Sequence, residues 1–160
     1  MVNVTFTKED LLAAKDKLIL LVEDSDNDAL MTMRALTKAN VLNEVIWLKD
    51  GAEALDYLLK ACLEDGKPLP QLVLLDIHMP KVGGIEVLRA VRSDPRISWL
   101  PVIIFTSSKE ERDLLDSYKL GVNSYICKPI NFDEFAPLVS TLGCYWLIIN
   151  QGPPAARLLT

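Results

Sequence analysis

The stretch Leu72–Gly84, LVLLDIHMPKVGG, decides the fold. Four apolar residues end abruptly in a carboxylate, Asp76, and the chain then passes through Met79-Pro80 to a glycine pair, Gly83-Gly84. A continuous apolar run of this length suits a strand covered on both faces, as in a parallel sheet. Proline and paired glycines cannot continue it as a helix. The stretch therefore predicts a buried strand that delivers an acid to its end, followed by an open loop that leaves one face of that acid accessible.

Working outward, four more segments share the strand pattern: LILLV (Leu18–Val22), EVIWL (Glu44–Leu48), VIIF (Val102–Phe105) and SYIC (Ser124–Cys127). Between them, apolar residues recur at helical spacing over Asp26–Ala39, Ala52–Leu63, Gly84–Val91 and Glu110–Leu120. A last helix starts at Asn131, a good N-cap with Glu134 three residues on, and runs towards Asn150; Pro137, one turn in, predicts a local kink or tight turn. Strict alternation of strand and helix gives an α/β fold with right-handed crossovers. The expectation is a doubly wound, flavodoxin-like, five-stranded parallel sheet of order 2-1-3-4-5 with helices on both faces.

Composition narrows the function. The chain has 160 residues, enough for one ordinary domain, and half of them are hydrophobic. The net charge of -5 argues against binding nucleic acid or an anionic membrane. Cys62, Cys127 and Cys144 are odd in number and have no CxxC spacing, so neither a disulfide framework nor a zinc site is expected; they read as small buried hydrophobes in a reducing compartment. The N-terminus carries acids and lysines where a signal peptide needs an apolar core, and runs such as LILLV are too short to span a bilayer. The expectation is a soluble cytoplasmic protein.

In doubly wound sheets ligands gather beyond the carboxyl ends of the strands. The first strand ends in Glu23-Asp24, the third in Asp76, the fourth in Thr106-Ser107-Ser108 and the fifth in Lys128-Pro129. With strands one and three adjacent, Glu23, Asp24 and Asp76 converge, and Thr106 and Lys128 face them. Three clustered carboxylates repel, and a hard divalent cation such as Mg²⁺ relieves this. With Lys128 and a hydroxyl alongside, such a site would hold a phosphoryl group, and Asp76, alone on the central strand, is the candidate nucleophile.

Taken together, VEDS, LLDIHMPKVGG, VIIFTSS and YICKP resemble the receiver domain of two-component response regulators, over about Lys17 to Asn150. The segment SYKLGVNSYICKPINFDEF (Ser117–Phe135) and Tyr145-Trp146-Leu147 are similar to the small stand-alone receivers that serve bacterial and cyanobacterial phytochrome kinases. The resemblance implies that Asp76 accepts a phosphoryl group from a histidine kinase. It implies Mg²⁺ held by Glu23, Asp24, Asp76 and the backbone carbonyl of His78. Thr106 and Tyr125 then form the switch, Lys128 pairs with phosphate, Lys128–Pro129 is a cis peptide, and His78 and Ser108 modulate hydrolysis. No output domain is expected, so the output is a protein contact, dimerisation or phosphate storage in a relay.

Plainer roles compete for these residues. Acids favour helix starts, which accounts for Glu23-Asp24. Asp76 could cap a turn and Thr106 a helix. Lys128 is hardest to explain plainly, because a lysine beside a strand core needs a partner. His78, the only histidine, is expected exposed beside the acidic pocket and not as a catalyst. Tyr145, Trp146 and Ile149 are richer in large apolar groups than one core face requires and predict a homodimer interface. Residues 1–16 form an N-terminal arm, mobile or with a short helix from Thr7, and residues 151–160 a tail. Two rival functions stand beside the phospho-acceptor: a degenerate receiver acting only as a binding module, and a phosphatase of the haloacid-dehalogenase type. The latter would need a second Asp where His78 stands.

Overall fold

The computed structural model describes residues 5–153. The five expected strands form one parallel sheet: β1 (Ile19–Val22), β2 (Val45–Leu48), β3 (Leu72–Leu75), β4 (Val102–Thr106) and β5 (Ser124–Cys127), ordered β2-β1-β3-β4-β5. The register sets Ile19 beside Leu72 and Val22 beside Leu75, so β1 and β3 end level.

Alternate side chains of each strand point to opposite faces, which builds two cores. Leu20, Val22, Val73, Leu75 and Ile104 pack with Ala54 of α3 (Gly51–Leu55), Leu58 just beyond it, and Val87 and Leu88 of α4 (Gly84–Ser93). Ile19, Leu21, Leu72, Leu74 and Phe105 pack with Leu36 of α2 (Asp26–Lys38) and Phe135 and Val139 of α6 (Phe132–Gly143). The rings of Phe105 and Phe135 meet at 5.2 Å and 54°, tying β4 to α6. α5 (Glu111–Lys119) differs: Ser117 is its buried residue, while Leu114, Leu115 and Tyr118 are exposed.

The local signals act as expected at several ends. Asn131 Oδ1 accepts from the Glu134 N–H at 3.0 Å and starts α6. The helix runs on through Pro137 to Gly143, without a turn there, and continues as a π-helical segment, Cys144–Ile149. α3 is likewise extended by a π-helical segment, Asp56–Cys62. Asp26–Lys38 starts at Ser25, whose hydroxyl accepts from Asp28 N–H. Of the two readings of the N-terminal arm, the helix is the one formed: α1 (Lys8–Lys15) carries a reciprocal capping box between Thr7 and Asp10. It lies against the π-helical end of α6, where Lys17 Nζ donates to the Leu147 carbonyl at 2.6 Å. The tail expected at residues 151–160 lies outside the described residues from position 154 onward.

Two expectations need correction. Lys128–Pro129 is trans, as is every described peptide bond; the X–Pro preference for trans is small but prevails here. Cys127 is exposed, because β5 is an edge strand and its last residue points outward, whereas Cys62 is buried. The segment Phe132–Ile149 is also long and apolar enough to cross a membrane by length and composition, a case that scanning strand-like runs overlooks. In the fold its apolar face, with Phe135, Val139, Leu142 and Leu147, is spent on the sheet.

Candidate phosphoryl and metal site

The loop after β3 is shaped by close approach. A Cβ on Gly84 would lie 2.0 Å from the Asp76 carbonyl oxygen, and one on Gly51 would lie 2.2 Å from that of Val82. Gly84 N–H donates to the Ile77 carbonyl at 2.8 Å. The glycine pair in the opening motif therefore lets α4 start directly against the backbone of the acid.

Asp76 is less open than its motif suggests, with 7% of the residue exposed. One carboxylate oxygen accepts from Ile77 N–H at 2.7 Å and the other from Lys128 Nζ at 3.3 Å. Glu23, at the end of β1, is buried and also pairs with Lys128. Asp24 beside it is exposed, and ligand-type oxygens of Glu23, Asp24 and Asp76 all lie within 4.8 Å of one another. Lys128 Nζ further donates to Asp28 Oδ2 at 3.0 Å, from the first turn of α2.

The pocket thus has four carboxylates around one ammonium. Burial pushes the Glu23 carboxyl up, to about 7; Lys128 opposes this, and the neighbouring charge of Asp76 adds to it. For Lys128, burial lowers the pKa, but Asp76, then Glu23 and Asp28, outweigh it and hold the ammonium above its ordinary value. The two directions are consistent: Lys128 has several anions, whereas Glu23 shares its single cation. An uncompensated excess of acid over base remains. Three convergent carboxylates form a hard-oxygen donor set that fits a divalent cation such as Mg²⁺ or Mn²⁺.

The β4–β5 side supplies hydroxyls. Thr106 is the last residue of β4 and is fully buried, and the N-cap of α5 is Glu110, so Thr106 is not a helix cap. Its Oγ1 accepts from Ser108 N–H at 3.3 Å. Tyr125 Oη donates to the Ser108 carbonyl at 3.1 Å. His78 is exposed beside the pocket, as expected, and its Nε2 meets Asp113 Oδ2 at 2.8 Å. The same oxygen accepts from Ser108 Oγ at 2.6 Å.

Asp28 and Asp113 were not among the sequence candidates. Asp28 had a signal, as the last acid of the run Glu23–Asp28, one turn into a helix. Asp113 is one of several acids on a polar helix, and nothing in the sequence marks its two partners.

At the far end, Tyr145 and Ile149 are exposed, whereas Trp146 is partly buried against the α2–α6 core. The rings of Tyr145 and Trp146 stack edge to face at 5.1 Å.

Known proteins agree with this geometry. The response regulator receiver domain family matches residues 19–140. The probable methanogenesis regulatory protein FilR2 of Methanothrix harundinacea is 40% identical over 148 residues, covering 92% of this chain and 95% of its own. Response regulator Rcp1 of Synechocystis is 36% identical over 131 residues, covering 82% and 89%, and has been solved in a Mn²⁺-bound form (TM-score 0.79, 35% identity, 86% and 99% covered). The phosphorylated cyanobacterial phytochrome response regulator RcpA superposes with a TM-score of 0.81 at 36% identity, covering 87% of this chain and 99% of that one. With its strand order, its cluster of acids and its lysine all in place, the chain belongs to the response regulator receiver family, whose members are phospho-accepting signalling domains.

Proposed function

We propose that this chain is a response regulator receiver, similar to single-domain regulators, that takes a phosphoryl group onto Asp76 from a histidine kinase. The observation that carries the reading is the meeting of Glu23, Asp76 and Asp28 on the one ammonium of Lys128, with Asp24 alongside. Mg²⁺ would be held by Glu23, Asp24, Asp76 and the His78 backbone carbonyl, and when bound it neutralises phosphoryl oxygens. An Asp76 carboxylate oxygen attacks phosphorus, and the phosphorus–nitrogen bond to the kinase histidine breaks. Lys128 pairs with one phosphoryl oxygen and the Thr106 hydroxyl donates to another. Turning Thr106 inward frees the Ser108 N–H it now accepts from, and Tyr125 follows into the vacated space. Phosphate thereby shifts a population between two arrangements, because it favours one over the other. His78 and Ser108, flanking the acid and the hydroxyl, set how fast the acyl phosphate hydrolyses.

Residues 17–150 form the receiver unit, with α1 appended to it. A phytochrome-type kinase is the favoured donor, supported by the likeness to RcpA and Rcp1. The likeness to FilR2 favours a second reading, a kinase with a different input. The acidic charge and the site chemistry support a cytoplasmic protein that contacts proteins and neither nucleic acid nor membrane. Exposed Tyr145 and Ile149, with Trp146 bracing Tyr145, support a homodimer. The binding-module reading is disfavoured by the complete set of site residues, and the phosphatase reading by His78 in place of an acid.

The test is intact mass after incubation with acetyl phosphate, with and without Mg²⁺. One phosphate should add, only with the metal, and be absent in Asp76→Asn. Phosphate persisting in that variant rejects the site. Phosphotransfer from a phytochrome-type kinase and from unrelated kinases, measured side by side, separates the two donor readings. Tyr145→Ala combined with Trp146→Ala should sediment as a monomer; an intact dimer rejects that interface.

A further inference from the structure

Every polar group of Ser108 is engaged. Its N–H donates to Thr106 Oγ1, its carbonyl accepts from Tyr125 Oη and Cys127 Sγ, and its hydroxyl donates to Asp113 Oδ2 while accepting from Glu110 N–H at 3.3 Å, a bond within the loop itself. That single Asp113 oxygen also meets His78 Nε2, two residues beyond Asp76. Asp113 is largely buried, while His78 is exposed. One carboxylate, on the first turn of a helix with few buried side chains, therefore fastens together the loop that follows the acid and the loop that follows the hydroxyl.

We infer that Asp113 is a positioning residue, a latch that holds the β4–α5 loop in the unphosphorylated arrangement by bridging His78 and Ser108. The inference rests on the reading of Asp76 as phospho-acceptor. In that reading Thr106 turns towards the phosphoryl group and gives up the Ser108 N–H, and Tyr125 leaves the Ser108 carbonyl. Two of the contacts on Ser108 must change together, so what retains Ser108 opposes the switch. The His78–Asp113–Ser108 bridge is a series connection, and breaking either link releases it. A ligand that favours the switched arrangement then binds more tightly by whatever the intact bridge contributed.

The experiment is calorimetric titration of the full chain with beryllofluoride in saturating Mg²⁺, beryllofluoride being a mimic of the acyl phosphate. Ser108→Ala changes no charge and should tighten binding about fivefold, the worth of one ordinary hydrogen bond. Asp113→Ala should do the same. The double variant should also give about fivefold, not the roughly 25-fold of independent contributions. Asp113→Asn keeps an acceptor oxygen but loses the charge, and should stay within about twofold of the parent. Unchanged or weaker binding in Ser108→Ala, additive effects in the double variant, or Asp113→Asn behaving like Asp113→Ala each overturns the latch; the last would assign the effect to charge alone. A parent protein that takes no beryllofluoride overturns the phospho-acceptor reading, and the latch with it.

Discussion

The two halves of the site are built differently. β1 and β3 are central strands, buried at every position, and the glycine contacts at Gly51 and Gly84 fix the loop after Asp76 against two helices. β5 is only partly covered, and α5 keeps Leu114, Leu115 and Tyr118 in solvent. The acids thus sit on the well-packed half, Tyr125 and the Asp113 bridge on the lightly packed half, and Thr106 between them at the end of fully buried β4. Local opening is drawn from regions with few buried contacts. The difference teaches that the three clustered acids rest on strands covered on both faces, while Tyr125 and the Asp113 bridge lie where local opening costs least.

Mutations on the two halves should separate accordingly. Leu74→Ala, in the middle of β3, should lower unfolding stability by about 3–4 kcal/mol in urea titrations. An effect under about 1 kcal/mol would mean that the central half is not the rigid one. Lys128→Ala removes the shared cation of three carboxylates and should cost about 3 kcal/mol in chelator. Mg²⁺ should recover much of that loss, while any change of association state on phosphorylation should be lost; equal losses with and without metal would show that the acids do not bind it. Gly84→Ala must push the start of α4 off the Asp76 carbonyl and should cost about 2 kcal/mol, with slower phosphorylation by acetyl phosphate. Leu115→Ala, on exposed α5, should change stability by no more than about 0.5 kcal/mol. A loss comparable to that of Leu74→Ala would erase the contrast between the halves.

Much of the well-packed half was legible in the chain. Runs such as LILLV and LVLL have one cheap environment, a strand covered on both faces, so a parallel sheet followed; with the flavodoxin-like order, Glu23, Asp24 and Asp76 converge. The lightly packed half was less so. Helical spacing over Glu110–Leu120 marks a helix but not which way it faces, and the structure leaves Leu114, Leu115 and Tyr118 exposed. Cys127 failed because it ends an edge strand. Pro137 falls early in α6, where burial of Phe135 and Val139 outweighs the lost backbone bond and the helix continues without a turn.

By itself the sequence determined that five apolar segments would stack in parallel and present Glu23, Asp24, Asp76, Thr106 and Lys128 at one rim, since periodicity and burial are written locally. Only the tertiary structure decided that Asp28 would share Lys128 and that Asp113 would join His78 to Ser108. Those pairings span 100 and 35 positions along the chain for Asp28–Lys128 and His78–Asp113. A hydrogen bond acts over about 3 Å, so such contacts exist only once packing has brought the elements together.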